Sequence, residues 1–204
     1  MLDIRPLDIR PIILIGKTCS GKTTIAKALE QFGVKRNVTY TSRPRRPGER
    51  DGIDYHFVDP SYFDTFRHEF AEIAEYDASF GHCFYGSKIS QYERGTVTVL
   101  TPKGYESVLE SGVRERAYYI KLPDDILRER AIERGDDLTE IDRRLASDRE
   151  MFETFQSDHP ETIVINKFIV NDYTVTDIAK RIIRCEKLVA AVIPDVSQKI
   201  EASL

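Results

Sequence analysis

The chain has 204 residues, a formal net charge of −4, 41% apolar residues and 31% charged ones. That balance suits one globular domain, excludes a disordered chain, and argues against general coating of nucleic acid, which needs a basic surface. Cys19, Cys83 and Cys185 are scattered and His56, His68, His82 and His159 lack ligand spacing, so neither a disulfide frame nor a transition-metal site is expected.

In chain order, LDIRP occurs at 2–6 and again at 7–11 and reads as a surface arm. PIILIG at 11–16 is a buried-strand pattern, and GKTTIAKALEQF at 21–32 spaces Ile25, Ala28, Leu29 and Phe32 for a helix that Gly33 ends. Weaker strands are expected near 37–41, 54–58, 70–76 and 82–85, with helices near 60–68 and 87–94. GTVTVL at 95–100 predicts a second buried strand, 103–111 a helix, and RAYYIKL at 116–122 a third strand. PDDILRERAIERG at 123–135 opens with proline and closes with glycine, a helix signature. A long charged helix over 138–157, strand TIVI at 162–165, extended IVND at 169–172 and a last helix over 173–192 complete the pattern. Strands alternating with helices predict an α/β fold with a parallel sheet flanked by helices. No apolar run reaches the ~20 residues of a membrane helix and no signal-peptide layout is present, so a cytoplasmic protein without membrane or nucleic-acid partners is expected, as monomer or homodimer.

Gly16, Lys17, Thr18, Cys19, Ser20, Gly21, Lys22 and Thr23 fit G-x-x-x-x-G-K-[ST] between an apolar strand and a helix. Small residues let backbone N–H groups wrap a polyphosphate, and the helix start adds its positive end. Lys22 is expected to reach the β- and γ-phosphates of ATP, and the Thr23 hydroxyl to bind Mg²⁺, with Thr24 following in the helix. Cys19 reads as a small loop residue.

TSRPRRPGERDGIDYHF at 41–57 concentrates four arginines, Arg43, Arg45, Arg46 and Arg50. Arginine grips phosphate by paired hydrogen bonds better than lysine does. On charge alone the stretch reads as a solvated loop. It resembles, however, the guanylate kinase signature, matching at Thr41, Arg43, Arg46, Gly48, Glu49, Gly52, Asp54, Tyr55 and Phe57. FAEIAEY at 70–76, FYGS at 84–87, RAIERG at 130–135, RRL at 143–145 and IVND at 169–172 resemble further motifs of that family in the same order, over residues 11–182.

The resemblance implies a P-loop core (11–36, 92–125 and 158–192), a monophosphate-binding subdomain (37–91), a helical lid (126–157) and a tail (193–204). It implies ATP-dependent phosphorylation of GMP or dGMP with Mg²⁺. Thr39, Arg43, Arg46, Tyr55 and Tyr85 would bind the acceptor phosphate, and Glu72 and Ser87 the guanine. Arg130, Arg134 and Arg144 would close over the ATP phosphates, and Asn171 would lie by the adenine; Lys22, Arg43, Arg134 and Arg144 form the catalytic set.

The chain departs from the family where an acidic pair is usual, carrying Val99 and Thr101 in VTVLTPKG. Thr101 remains at an acceptor-binding position, and the loss leaves guanine selection to Glu72. An insertion within YDASFGHC at 76–83 is expected to border the base pocket, with Glu75 or Asp77 as substitutes for the missing acid. Two alternatives follow: a kinase for another nucleotide or a sugar phosphate, and a silent guanylate-kinase-like module that binds phosphopeptides.

Overall fold

The computed structural model describes residues 7–46, 48–78, 81–166 and 174–192. The first LDIRP copy, the IVND segment with Asn171, and the 193–204 tail lie outside the described residues.

Strand β1 (Ile12–Gly16) is buried along its whole length. It pairs in parallel with β7 (Thr96–Leu100) and β8 (Arg116–Lys121), and β2 (Lys35–Arg36) and β9 (Ile163–Asn166) extend a parallel five-stranded sheet in the order β2-β7-β1-β8-β9. Successive side chains of a strand point to opposite faces. Ile12 and Leu14 therefore join Leu29 of α1 (Lys22–Glu30) and Ile178 and Ile182 of α7 (Val175–Val192) on one face. Ile13 and Ile15 join Tyr105 and Val108 of α3 (Pro102–Glu110) and Phe155 of α6 (Phe155–Asp158) on the other. Cover on both faces is why β1 reads as an unbroken apolar run.

A second sheet, in the order β4-β3-β6-β5, is built from β3 (Tyr40–Thr41), β4 (His56–Phe57), β5 (Phe70–Ala78) and β6 (Gly81–Lys88). The insertion at 76–83 lengthens its hairpin: Tyr76 pairs Cys83, Asp77 pairs His82 and Ala78 pairs Gly81. Ala78 lies about 20 Å along the strand from Glu72, and of this stretch Cys83 lines the cleft among the described residues. Glu75 points to the face opposite Glu72 and meets His82 Nε2 at 3.4 Å, so it is no substitute for the missing acid.

Three further expectations are corrected. The second LDIRP copy is not a surface arm, because Ile9 is buried and the Ile9 carbonyl accepts from Gly95 N at 2.9 Å. The helix expected over 87–94 is a 3₁₀ turn, Ile89–Gln91. Its ends are tied by the Gln91 side chain, whose Oε1 accepts from Lys88 N at 2.9 Å while Nε2 donates to Val38 O at 2.7 Å. Asn37 Nδ2 returns a bond to Gln91 O at 2.7 Å. The helix expected over 138–157 stops at Met151 in α5 (Leu138–Met151) and resumes as α6. The turn between them packs Phe152 and Phe155 on the Tyr119 ring, at centroid distances of 5.5 and 5.1 Å. Among the described residues no helix is long and apolar enough to cross a membrane.

Lys88 holds the second sheet to α2 (Ser61–Thr65) and the turn after it. Its ammonium donates to Glu69 Oε2 at 2.6 Å and Tyr62 OH at 2.9 Å, and stands 5.1 Å from the ring centres of Tyr40, Tyr62 and Phe66. Burial works against its charge, but those hydrogen bonds hold its pKa above the ordinary lysine value. Lys88→Met keeps the stem and loses the cation, which costs about 2 kcal/mol by the cation–π scale. Thermal unfolding should fall by roughly 4–8 °C, and an unchanged midpoint would remove Lys88 from this role.

Candidate functional site

A cleft of about 540 Å³ opens where the carboxyl ends of the five-stranded sheet meet the second sheet and α5. Lys22, Arg43, Glu72, Thr101, Arg144 and Asp148 all line it.

The loop after β1 forms one wall. A Cβ on Gly16 would stand 2.7 Å from Ile120 O, so only glycine fits there. Gly21, at φ 94°, starts α1 without a side-chain cap, and no acidic residue follows in the first turn. The helix thus presents unpaired amides and its positive end to the cleft. Cys19 takes φ 62°, a left-handed conformation uncommon for a side-chain-bearing residue.

Lys22 Nζ donates to Gly16 O at 2.6 Å and Lys17 O at 2.8 Å, so the ammonium is enclosed by the loop. Burial pulls its pKa down to about 8 against the attraction of Asp148. Thr18 N donates to Asp148 Oδ2 at 2.5 Å, so a carboxylate already sits on a loop amide. Lys17 pairs with Asp124 of α4 (Asp124–Arg134) at 2.8 Å. Thr18 and Thr23 line the cleft, whereas Thr24 is exposed and does not.

Arg43 is 3% exposed. Its Nε donates to Tyr85 OH at 3.0 Å, Nη1 to Pro44 O at 2.7 Å and Nη2 to Glu49 Oε1 at 2.7 Å. Glu49 Oε2 also accepts from the Arg46 backbone N at 2.8 Å, so one carboxylate ties the Arg43 guanidinium to the turn that carries Arg46. The Tyr55 ring lies 5.5 Å from the Arg43 guanidinium. Thr39, Arg46, Tyr55 and Tyr85 line the same end of the cleft. Arg45 is exposed and does not line it.

Glu72 on β5 is 6% exposed. Its Oε1 accepts from Ser87 Oγ at 2.8 Å, and Ser87 lies behind it, away from the cleft surface. Burial pushes the carboxyl up to about 7, against the hydrogen bonds from Ser87. Thr101 caps α3, its Oγ1 accepting from Gly104 N at 3.1 Å. A Cβ on Gly104 would meet Glu72 Oε2 at 3.3 Å, so this glycine leaves room beside the carboxylate.

On the opposite wall, Arg144 Nε donates to Glu140 Oε1 at 2.8 Å, and both line the cleft. Hydrogen bonds from Arg143, then Arg144, hold Glu140 down to about 2 despite some burial. Arg130 and Arg134 reach the loop from outside the cleft lining: Arg130 Nη1 donates to Ser20 O at 3.4 Å and Arg134 Nη2 to Cys19 Sγ at 3.5 Å. Sequence reasoning missed the roles of Glu49, Asp148 and Asp124. Glu49 had a signal, a carboxylate three residues after an arginine in a turn; the other two are set by tertiary pairing.

A family model described as guanylate kinase matches residues 8–183. The chain is 30% identical over 195 residues to a guanylate kinase of Symbiobacterium thermophilum, covering 88% of this chain and 84% of that one. It is 38% identical over 144 residues to a guanylate kinase of Alkalilimnicola ehrlichii, covering 62% and 66%. The crystal structure of guanylate kinase from Anaplasma phagocytophilum superposes with a TM-score of 0.60 at 21% identity, covering 89% of this chain and 87% of that one, a likeness of fold.

Proposed function

The chain belongs to the guanylate kinase family, and from that premise we infer that it transfers the γ-phosphoryl group of ATP to GMP or dGMP in this cleft. The observation that carries the reading is that buried Arg43 and buried Glu72 share one cleft with the uncapped phosphate loop. A guanidinium aimed at a phosphate and a carboxylate aimed at a base suit an acceptor nucleotide.

On this reading the second sheet with α2 is the acceptor subdomain, and α4 and α5 are the lid. Arg43, Arg46, Tyr55, Tyr85 and Thr39 hold the acceptor phosphate. Glu72 accepts from guanine's N–H donors, and adenine would leave that buried carboxylate unpaired. The loop amides and Lys22 hold the ATP phosphates, and Arg130 turns from the Ser20 carbonyl, Arg134 from Asp136 and Arg144 from Glu140 to the transferring group. No strong base is needed, because the acceptor phosphate is already ionised; catalysis is alignment plus charge neutralisation.

Thr23 gives one hydroxyl at the cleft, and among the described residues no group of His, Cys, Asp and Glu forms a metal cage. That donor set suits Mg²⁺, which keeps most of its waters and binds through nucleotide phosphates. When bound, the ion neutralises charge on the phosphates.

The test is ADP formation from MgATP with GMP, dGMP, AMP, CMP and UMP. GMP and dGMP should lead, and a preference for any other acceptor rejects the reading. In the same assay Arg43→Ala should raise the GMP KM and lower kcat, together losing about 10²-fold or more in kcat/KM. Wild-type kinetics would remove Arg43 from the site. No feature of the cleft favours a sugar phosphate or a phosphopeptide over the guanine nucleotide.

A further inference from the structure

We infer that Tyr92, through Ser87, holds the Glu72 carboxylate in the direction that reads the acceptor base, making it a positioning residue for substrate specificity. This inference rests on the assignment of Glu72 to the base site.

Tyr92 follows the 3₁₀ turn and is buried, as are Ser87 and Glu72. Its hydroxyl stands 2.6 Å from Ser87 Oγ, and Ser87 Oγ donates to Glu72 Oε1 at 2.8 Å. A serine hydroxyl has a single hydrogen. Because that hydrogen goes to Glu72, the phenol must donate to Ser87. Burial and the nearby Glu72 charge hold the Tyr92 pKa well above that of an ordinary tyrosine, so the donor is permanent.

The direction runs from Tyr92 through Ser87 to Glu72, each group donating to the next. Such a chain polarises every member in one sense. It also occupies Oε1, leaving Oε2 as the oxygen beside Thr101 and the gap at Gly104.

The experiment compares wild type, Tyr92→Phe, Glu72→Gln and the double variant, measuring KM for GMP, AMP and ATP. Tyr92→Phe removes one oxygen and keeps the ring. It should raise the GMP KM about 5- to 10-fold and lower the GMP-over-AMP preference by the same factor. The ATP KM should stay within about twofold, a split that a general loss of packing would not give. On the Glu72→Gln background the same change should have no further effect on GMP. Ser87→Ala removes the link between the two with little change of shape, and should give a rise of the same kind even if Tyr92→Phe folds poorly. An unchanged GMP KM in these variants, or an equal loss with and without Glu72, overturns the inference. If wild type itself shows no preference for GMP, it is the assignment of the acceptor that fails.

Discussion

Replacing Lys22 with methionine lowers kcat by about 10³-fold, the loss typical for removing a charged donor from a developing phosphoryl charge, and leaves the GMP KM within about twofold. Methionine keeps most of the stem, so the change isolates the ammonium. In this structure that ammonium rests on Gly16 O and Lys17 O, inside the loop it would serve. Its pKa of about 8 leaves it mostly protonated at neutral pH. The charged form is lost as pH rises through that value, so kcat/KM for ATP should fall above about pH 8 in wild type, and the limb should vanish in Lys22→Met. Steady-state kinetics from pH 6 to 10, with thermal unfolding to show that the variant folds, makes the check. Retention of more than a tenth of wild-type kcat would exclude the role.

Glu72→Gln is expected to separate activity from stability. The carboxylate accepts from two guanine donors, whereas an amide would turn one of its own donors toward them. The loss in kcat/KM for GMP should be about 10²-fold or more. Stability moves the other way with pH. Burial raises the folded pKa to about 7, above that of an unfolded glutamate. The stabilisation this proton brings is complete below the unfolded value and is lost as pH rises through about 7. Glutamine does not titrate, so relative to wild type the variant should gain about 3 kcal/mol between pH 4 and pH 8 by linkage. Urea unfolding at the two pH values reads the difference. A gap between the two proteins that does not change with pH would show that Glu72 is not a buried titrating acid.

The five-stranded sheet was legible because its determinants are local: apolar runs for β1, β7 and β8, Pro and Gly at the ends of α4, and a glycine-rich loop between strand and helix. The 3₁₀ turn at 89–91 was not, since it is closed by Gln91 bonding to Val38, and such distant partners leave no periodicity. The end of α5 is set by Tyr119, far away in the chain. In the cleft, the loop, the buried arginine and the glutamate followed from residue type and family pattern. Asp148 did not, because its bond to Thr18 joins residues 130 positions apart. Glu75 looked available until the strand register turned it to the other face. The donor behind Ser87 and Glu72 is Tyr92, a residue that sequence alone leaves indistinguishable from an ordinary aromatic core position.

Among the described residues, the chain crosses between the two sheets only at 37–39 and 89–95. Asn37 and Gln91 stitch those two crossings together by reciprocal bonds. On the proposed reading, two linkers sewn side by side act as a single hinge pin, about which one sheet swings against the other and across which sliding would tear the stitch. Ser87 and its partner Glu72 sit close to that pin, Tyr85 is farther out, and the Ala78–Gly81 pair is farther still. A swing therefore leaves the base-reading end nearly still and carries the phosphate-gripping end through a longer arc. On the proposed reading, recognition of the base and delivery of the phosphate become separable events, with the first fixed near the axis and the second set by leverage.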